Sequence, residues 1–281
     1  MRISIPDAIL RLRSGEIVAI PTETVYGLAA DGMSPGAVEK IFVLKGRPPD
    51  HPLILHVSGA DEARAHAVWD PRGDALIDLW PGPLTLVLPN RDVPAVVTGG
   101  HATVAVRVPD HPVALAILAG VGPLAAPSAN RFGKVSPTRA EHVEAELPGV
   151  PVVDGGPCRI GVESTILALL HDAPKLLRPG GVPLEDLLLR LGPIDVGGVI
   201  AAPGTLPSHY APLGRVVTIP AGTPGAHIPR TRPDEHARTL YHRLRALDDA
   251  GIDPIVCELA DPVGIGVAIN DRLKRAAERL G

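Results

Sequence analysis

A cluster of polar side chains follows an apolar run near the start of the chain. Residues 17–20 form the apolar run, and Thr22, Glu23, Thr24 and Tyr26 come directly after it. Two hydroxyls, a carboxylate and a phenol suit a packed core poorly, whereas ligands of open α/β sheets bind at strand ends. The segment therefore predicts a binding site, although threonines in such positions also serve as turn formers and helix caps.

Four basic side chains stand where they could meet an anion. Lys45 and Arg47 fall at the end of a predicted helix, Arg107 lies on a predicted strand, and Arg178 precedes Pro179-Gly180. They are accompanied by hydroxyl residues at strand ends or in turns, namely Thr24, Thr103, Ser128, Ser136 and Ser164. Together these side chains predict an anion pocket. For Lys45 and Arg47 the alternative is a local role at the negative end of the helix dipole.

A loop of small residues follows the apolar segment 123–126. Ser128-Ala129-Asn130 precedes Lys134 and Ser136, and small residues let backbone N–H groups approach phosphate oxygens. This composition indicates either a phosphate-binding loop or an ordinary Ser/Asn turn. The chain contains neither GxxxxGK[ST] nor GxGxxG after a strand, so both common nucleotide-binding fingerprints are missing.

Metal-binding and nucleophile motifs are not apparent. His51 and His56 lack the helical i, i+4 spacing and the neighbouring cysteines that favour a metal site. Cys158 and Cys257 are far apart and show no CxxC spacing, so we expect ordinary buried thiols. No GxSxG elbow occurs, and nothing singles out a Ser-His-Asp triad. We therefore expect no metal ion held by the protein itself.

Composition restricts the class of protein. The 27 Lys and Arg residues against 31 Asp and Glu give a net charge of -4, and only 2% of residues are aromatic. This charge does not attract nucleic acid or anionic membranes, and few rings are available for base stacking. No apolar run approaches the about 20 residues of a membrane helix, and the first residues lack the apolar core of a signal peptide. These features predict a cytoplasmic protein without membrane contact.

Predicted strands and helices alternate through the first 190 residues, which is typical of an α/β domain. Period-two alternation in one strand places Thr103 and Arg107 on the same face. The predicted strands are 17–20, 53–57, 84–88, 103–108, 123–126, 152–153, 165–167 and 175–178. The predicted helices are 35–45, 112–119, one that begins with a capping box at Thr138 and Glu141, and 184–191.

Gly and Pro dominate residues 193–214, which predicts a linker between domains 1–192 and 215–281. The second domain has a β-α-β-α pattern, with predicted elements at 215–219, 234–250, 254–257 and 267–280. A unit of about 67 residues is small for independent stability, so we expect it to lean on the first domain. We expect Tyr210, within the linker, to reach back to the first domain.

These motifs occur in a characteristic order over roughly residues 5–190. They are the segment 21–28, Lys45-Gly46-Arg47-Pro48 with 52–56, Ser128-Ala129-Asn130, and Glu163-Ser164-Thr165 with 177–180. The combination closely resembles the YrdC/Sua5 family. The linker pieces 202–204 and 208–212, and the tail segment 264–273, resemble the longer Sua5 type with a shortened C-terminal domain.

The resemblance implies a YrdC-like twisted mixed sheet flanked by helices, plus a small Rossmann-like C-terminal α/β domain. It also implies an L-threonylcarbamoyladenylate synthase, a nucleotidyltransferase that makes threonylcarbamoyl-AMP and pyrophosphate from ATP, L-threonine and bicarbonate. That product feeds t6A modification of adenosine 37 in tRNA through a downstream threonylcarbamoyl transferase complex. Mg²⁺ would be held mainly by the ATP phosphates.

The resemblance also assigns residues to the two substrates. Those expected to contact ATP are Lys45, Arg47, His51, Thr103, Ser128, Asn130, Ser136, Arg178 and Tyr210. Those expected to hold threonine are Thr24, His56, Arg107, Ala126 through its backbone, and Ser164. Lys45 and Arg47 would be catalytic, and Arg107 would bind the threonine carboxylate as a fork. His51 stands where the family usually has Asn.

Two other functions remain open at this point. A carbamoyl-adenylate-forming carbamoyltransferase of the hydrogenase-maturation type contains a similar domain, but its zinc-finger modules need more than two cysteines. A non-catalytic RNA-binding module is the other alternative. The negative charge and the small number of aromatic residues argue against it.

Overall fold

The computed structural model describes residues 1–170, 172–196 and 210–278. The strands of its larger sheet are β1 (Val18–Ile20), β2 (Gly27–Asp31), β3 (Ile54–His56), β4 (Leu84–Pro89), β5 (Thr103–Arg107), β6 (Leu124–Ala125), β7 (Thr165–Ala168), β8 (Lys175–Arg178) and β9 (Asp195–Val196). Across the sheet they follow the order β1-β2-β6-β3-β5-β4-β7-β8-β9. The pairs β3/β5, β4/β7 and β8/β9 are parallel, and the other neighbours are antiparallel. The predicted mixed sheet is confirmed.

Helices flank this sheet. They are α1 (Ile5–Arg13), α2 (Pro35–Lys45), α3 (Ala60–His66), a 3₁₀ helix (Pro71–Leu79), α4 (Ala95–Thr98), α5 (Pro112–Val121), α6 (Ala140–Glu146) and α7 (Leu184–Leu191). The sequence predicted α2 with its correct ends, because Pro35 suits the first helical turn and Gly46 adopts the left-handed conformation (φ 62°) that ends it. Helices α1, α3 and α4, the 3₁₀ helix and strands β2 and β9 were not predicted.

Two local predictions are wrong. The expected capping box does not form, since α6 begins at Ala140 and its N-cap residue Arg139 makes no side-chain cap bond. Arg139, directly before the helix, is extended (φ -146°, ψ 156°). The Thr138 carbonyl accepts from Cys158 N–H at 2.9 Å and is therefore engaged outside the helix, which begins after Thr138. The second error is the strand at 152–153, where Val152 forms only isolated bridges.

The C-terminal unit consists of β10 (Val216–Ile219), α8 (Pro233–Asp249), β11 (Ile255–Glu258) and α9 (Ile265–Ala277), and its two strands pair in parallel. Its apolar core is continuous with the first unit, because Val25, Val135 and Val162 pack into the same cluster as Leu240. The C-terminal unit therefore packs against the larger unit, as expected. Most of the predicted linker (197–209, with the 202–204 motif) and the last predicted helical residues (279–281) lie outside the described residues.

Both cysteines are buried free thiols, as expected. Across the described ranges, no helix is long and apolar enough to span a membrane.

Candidate functional site

One pocket gathers nine of the fourteen residues predicted from the resemblance. They are Thr24, Arg47, His56, Arg107, Ala126, Ser128, Ser164, Arg178 and Tyr210. All five residues predicted to hold threonine are among them. The pocket therefore brings together the polar segment after β1, the loop after β6 and three of the four predicted basic side chains.

Sheet register explains the meeting of the central residues. His56 and Arg107 are partners in the parallel pairing of β3 and β5, so their side chains leave the same face of the sheet. Ile54, two residues before His56, also lines the pocket and shares that face. The alternate residues Leu55 and Val106 belong to the main core on the opposite face. One face of these strands thus builds the core and the other builds the site.

Arg107 forms a buried ion pair with Glu23. Its Nη2 donates to Glu23 Oε1 at 2.6 Å, and its Nε donates to the Gly82 carbonyl at 3.2 Å. The two side chains are 4% and 1% exposed. The carboxylate of Glu23 thereby holds the guanidinium at the pocket wall, and neither bond uses Nη1. Glu23 therefore orients Arg107, a partner that the sequence pattern did not identify.

Ser164 and Arg178 form a second polar group. Arg178 Nη2 donates to the Ser164 carbonyl at 2.9 Å and lies 3.1 Å from its Oγ, while Ser164 Oγ is 2.8 Å from Thr85 Oγ1. The backbone of Gly180 makes this proximity possible, because a Cβ there would stand 2.2 Å from the Ser164 carbonyl carbon. Burial lowers the pKa of Arg178.

Arg47 faces the pocket from the turn after α2. Its Nη2 donates to the Pro52 carbonyl at 2.9 Å, and its guanidinium carbon lies 5.6 Å from the centre of the Phe132 ring. Burial and the neighbouring Arg178 lower its pKa to about 10, against an opposing influence of Tyr210. It therefore carries its charge at neutral pH. A desolvated cation of this kind interacts strongly with a phosphate.

Lys45 does not line the pocket. Its Nζ donates to the Ser128 carbonyl at 2.5 Å and also to the carbonyl of Asn130, and the side chain is 3% exposed. Burial, reinforced by Arg47, lowers its pKa well below the usual value. In this structure Lys45 fastens the end of α2 to the small-residue loop, so its direct partners are protein carbonyl groups.

Four other predicted residues also lie outside the pocket lining. Thr103 begins β5, and four residues of strand place it about 13 Å from Arg107. His51 is half-buried with its ring centre 5.5 Å from that of Phe132. Asn130 donates its side-chain amide to the carbonyls of Arg131 and Lys134. The remaining one, Ser136, is buried beneath the site.

Glu163 is a site residue that was not predicted from the sequence. It lines the pocket and accepts bonds from Ser136 Oγ at 2.6 Å, Tyr241 OH at 2.9 Å and Arg272 Nε at 2.7 Å. Burial raises its pKa, but Arg272 and Arg178 outweigh this and lower it to about 2. The sequence does contain a signal for its partner Arg272. This charged residue lies four positions after Ala268 and four before Ala276, and so falls on the apolar face of α9.

Tyr210 reaches the first unit as expected. It is 1% exposed, has a positive φ of 63° and lines the pocket. Its ring lies under the Arg272 guanidinium, with 5.0 Å to the ring centre, and stacks on Tyr241 with 5.9 Å between centres. The next residue, Ala211, donates its N–H to the Gly133 carbonyl at 2.9 Å. Tyr210 is therefore held between the two units.

His56 is neutral in the folded protein. It is 3% exposed, and burial together with Arg107 lowers its pKa to about 3. An unfolded chain protonates this histidine below about pH 6.5, so the native state binds fewer protons over the interval down to pH 3. We expect the free energy of unfolding to fall with decreasing pH in this window, by up to about 1.4 kcal/mol per pH unit from His56.

Urea denaturation of the wild type at pH 7, 6 and 5 measures this dependence, and His56→Gln should reduce its slope. His101→Gln supplies the matched control, because it removes an imidazole that is exposed at the surface. Equal slopes in wild type and His56→Gln would contradict the assignment of a neutral buried imidazole.

Comparison with known proteins identifies the family of this chain. The family model Sua5_yciO_yrdC, described as "Telomere recombination", matches residues 11–180. The chain belongs to this family. A second model, described as "Threonylcarbamoyl-AMP synthase, C-terminal domain", matches residues 220–278, so the C-terminal unit is also of the Sua5 type.

Relatives of known name cover nearly the whole chain. A threonylcarbamoyl-AMP synthase from Bacillus subtilis is 40% identical over 97% of this chain and 92% of its own length. One from Pyrococcus abyssi is 38% identical over 95% of this chain and 92% of its own length. A crystal structure of P. abyssi Sua5 complexed with L-threonine has a TM-score of 0.91 at 38% identity, covering 99% of this chain and 96% of that one. The expected fold, with both units of the Sua5 type, is confirmed.

Proposed function

We propose that this chain is a threonylcarbamoyl-AMP synthase, which converts ATP, L-threonine and bicarbonate into threonylcarbamoyl-AMP and pyrophosphate. The observation that carries the proposal is the pocket itself, where hydroxyl groups, one neutral imidazole and three buried guanidinium groups face a common space. The names of the relatives, and the L-threonine complex of P. abyssi Sua5, support the choice of substrates. Near full-length matches to synthases favour this function over carbamoyl transfer or RNA binding.

The threonine subsite is proposed at the sheet face. Arg107, held by Glu23, would bind the carboxylate of the amino acid, and the hydroxyls of Thr24 and Ser164 would bind its polar groups. The Thr24 hydroxyl is held in position for this contact, because its Oγ1 lies 2.9 Å from Thr22 Oγ1. The neutral His56 would contact the substrate without adding charge, which suits a site that must accept an amine.

The nucleotide subsite is proposed toward Arg47, Ser128, Arg178 and Tyr210. Threonine's amine forms a carbamate with carbon dioxide, releasing a proton, or with bicarbonate, releasing water. The carbamate oxygen then attacks the α-phosphate as pyrophosphate departs. A carbamate oxygen is already nucleophilic, so the reaction needs no strong side-chain base. Stabilising the developing phosphate charge is the main requirement, and Arg47 and Arg178 meet it. Lys45 would act by holding the Ser128 loop in place.

Mg²⁺ is proposed to enter on the ATP phosphates. The carboxylates nearest the pocket are engaged, Glu163 with Arg272 and Glu23 with Arg107. Among described residues no cluster of three or more His, Cys, Asp or Glu could hold a metal ion. This side-chain set fits a cation bound mainly through substrate oxygens, where it would neutralise phosphate charge.

Further steps follow from the chemistry of the product. Threonylcarbamoyl-AMP is an activated acyl donor, so we propose that a separate threonylcarbamoyl transferase complex consumes it for t6A modification of tRNA. A cytoplasmic location is proposed with it, since ATP and tRNA are available there. Direct binding of tRNA by this chain is not required for the reaction.

Pyrophosphate release tests the proposed function. Protein incubated with Mg²⁺ and ATP should form pyrophosphate only when threonine and bicarbonate are both present, and serine should replace threonine poorly. Omitting each component in turn provides the controls. Turnover without threonine, or no turnover by a folded sample, would refute the proposal.

A further inference from the structure

Helix α9 of the C-terminal unit extends one charged side chain into the wall of the pocket. Arg272 has a fully buried side chain, and its Nε donates to Glu163 Oε2 at 2.7 Å. Its Nη2 donates to the Pro179 carbonyl at 3.0 Å, and its Nη1 contacts Asp271 at 2.5 Å. Its guanidinium also covers the Tyr210 ring. One side chain from the second unit thus contacts three segments around the site.

The ion pair between Arg272 and Glu163 affects the net charge of the pocket that the substrate would enter. Glu163 lines the same pocket as Arg47 and Arg178, and a carboxylate beside a triphosphate repels it strongly where water is excluded. Arg272 pairs with this carboxylate from the side of the C-terminal unit. Because Arg272 neutralises Glu163, the pocket retains the net positive charge of the other two arginines.

The same contact fixes side-chain positions. With Arg272 on Oε2, the carboxylate of Glu163 is oriented so that Oε1 accepts from Ser136. The guanidinium plane also restrains the ring of Tyr210. The next residue, Ala211, is fixed by its backbone bond to Gly133. Displacement of Arg272 would therefore disturb both the charge and the shape of the nucleotide end.

We propose that Arg272 is a positioning residue for nucleotide binding, which neutralises Glu163 and holds Tyr210 so that the C-terminal unit completes the ATP subsite. This inference rests on the proposed function. Lysine can replace it only in part, because a single ammonium group lacks the planar fork that serves Glu163, Asp271 and the Pro179 carbonyl together.

Four full-length variants test the proposal: Arg272→Met, Arg272→Lys, the double variant Arg272→Met/Glu163→Gln, and the control Arg230→Met. Arg230 lies in the same unit and pairs with Asp261 at the surface, with 39% of its side chain exposed. The measurements are KM for ATP, KM for threonine, kcat, the Kd of ATP by calorimetry, and the melting temperature.

Arg272→Met should raise KM and Kd for ATP roughly ten- to hundredfold, with a much smaller change in KM for threonine. The double variant should recover most of the ATP affinity, because the amide no longer repels phosphate. Arg272→Lys should fall between wild type and Arg272→Met, and Arg230→Met should match wild type. A purely structural role would lower the melting temperature or the active fraction without an ATP-specific change.

Unchanged ATP affinity in folded Arg272→Met would overturn the proposal, as would a double variant that binds ATP no better than the single one. If Arg272→Met does not fold, Arg272→Lys and the double variant decide. The double variant should then bind ATP more tightly than Arg272→Lys, because it alone removes the charge of Glu163, and equal affinities or the reverse order would overturn the proposal. A wild type that neither binds ATP nor releases pyrophosphate would instead refute the proposed function.

Discussion

Arg47→Met is expected to lower kcat/KM for pyrophosphate formation roughly 10²- to 10³-fold while the protein stays folded. Arg47 lines the pocket, and its guanidinium is buried and charged. Methionine keeps most of the apolar volume and removes the charge that would stabilise the departing pyrophosphate. Loss of the guanidinium removes one short hydrogen bond, to the Pro52 carbonyl, so the melting temperature should change little.

Lys45→Met is the matched variant, because it removes a buried cation from the same turn. Both bonds of Lys45 go to backbone carbonyls of the Ser128 loop, so its removal leaves buried acceptors without a donor, at a cost of about 1–3 kcal/mol. We expect lower stability together with lower activity. Steady-state kinetics and thermal melts distinguish a loss of activity alone, expected for Arg47→Met, from a loss of activity and stability together, expected for Lys45→Met. Arg47→Met with full activity, or Lys45→Met with full stability and no activity, would reverse the assigned roles.

Arg107→Lys is expected to lower kcat/KM for threonine by about a hundredfold, with little change in KM for ATP. The guanidinium binds Glu23 and the Gly82 carbonyl at once and still presents a face to the pocket. A lysine ammonium cannot keep these bonds and also grip a carboxylate in bidentate geometry. The buried Glu23 would then draw the ammonium away from the substrate.

Initial rates at varied threonine and at varied ATP measure this effect. Arg159→Lys is the control, since Arg159 is 67% exposed and pairs with Asp110 at the surface. A decrease in kcat/KM for ATP that exceeds the decrease for threonine, with a raised KM for ATP, would place Arg107 at the nucleotide instead. Wild-type kinetics in Arg107→Lys would remove it from the substrate site.

Local features were predictable from the sequence where neighbouring residues determine them. Helices α2 and α7 were predicted with their correct ends, because proline, glycine and apolar spacing mark these boundaries within the segment itself. The start of α6 was predicted wrongly, because the Thr138 carbonyl accepts a backbone bond from Cys158, which is distant in sequence. Helix α1 was missed although Ser4 caps it.

The sequence by itself determined which chemical groups the site would use: a cluster of hydroxyls, basic side chains, a loop of small residues, and their order along the chain. Tertiary structure alone decided which of them meet. Strand register sets His56 beside Arg107, and packing directs Lys45 to carbonyl groups and places Thr103 at the far end of its strand. The pairs Glu23–Arg107 and Glu163–Arg272 join residues 84 and 109 positions apart. Periodicity and capping describe only a few neighbouring residues, so contacts of this range follow from sheet register and from the docking of the C-terminal unit.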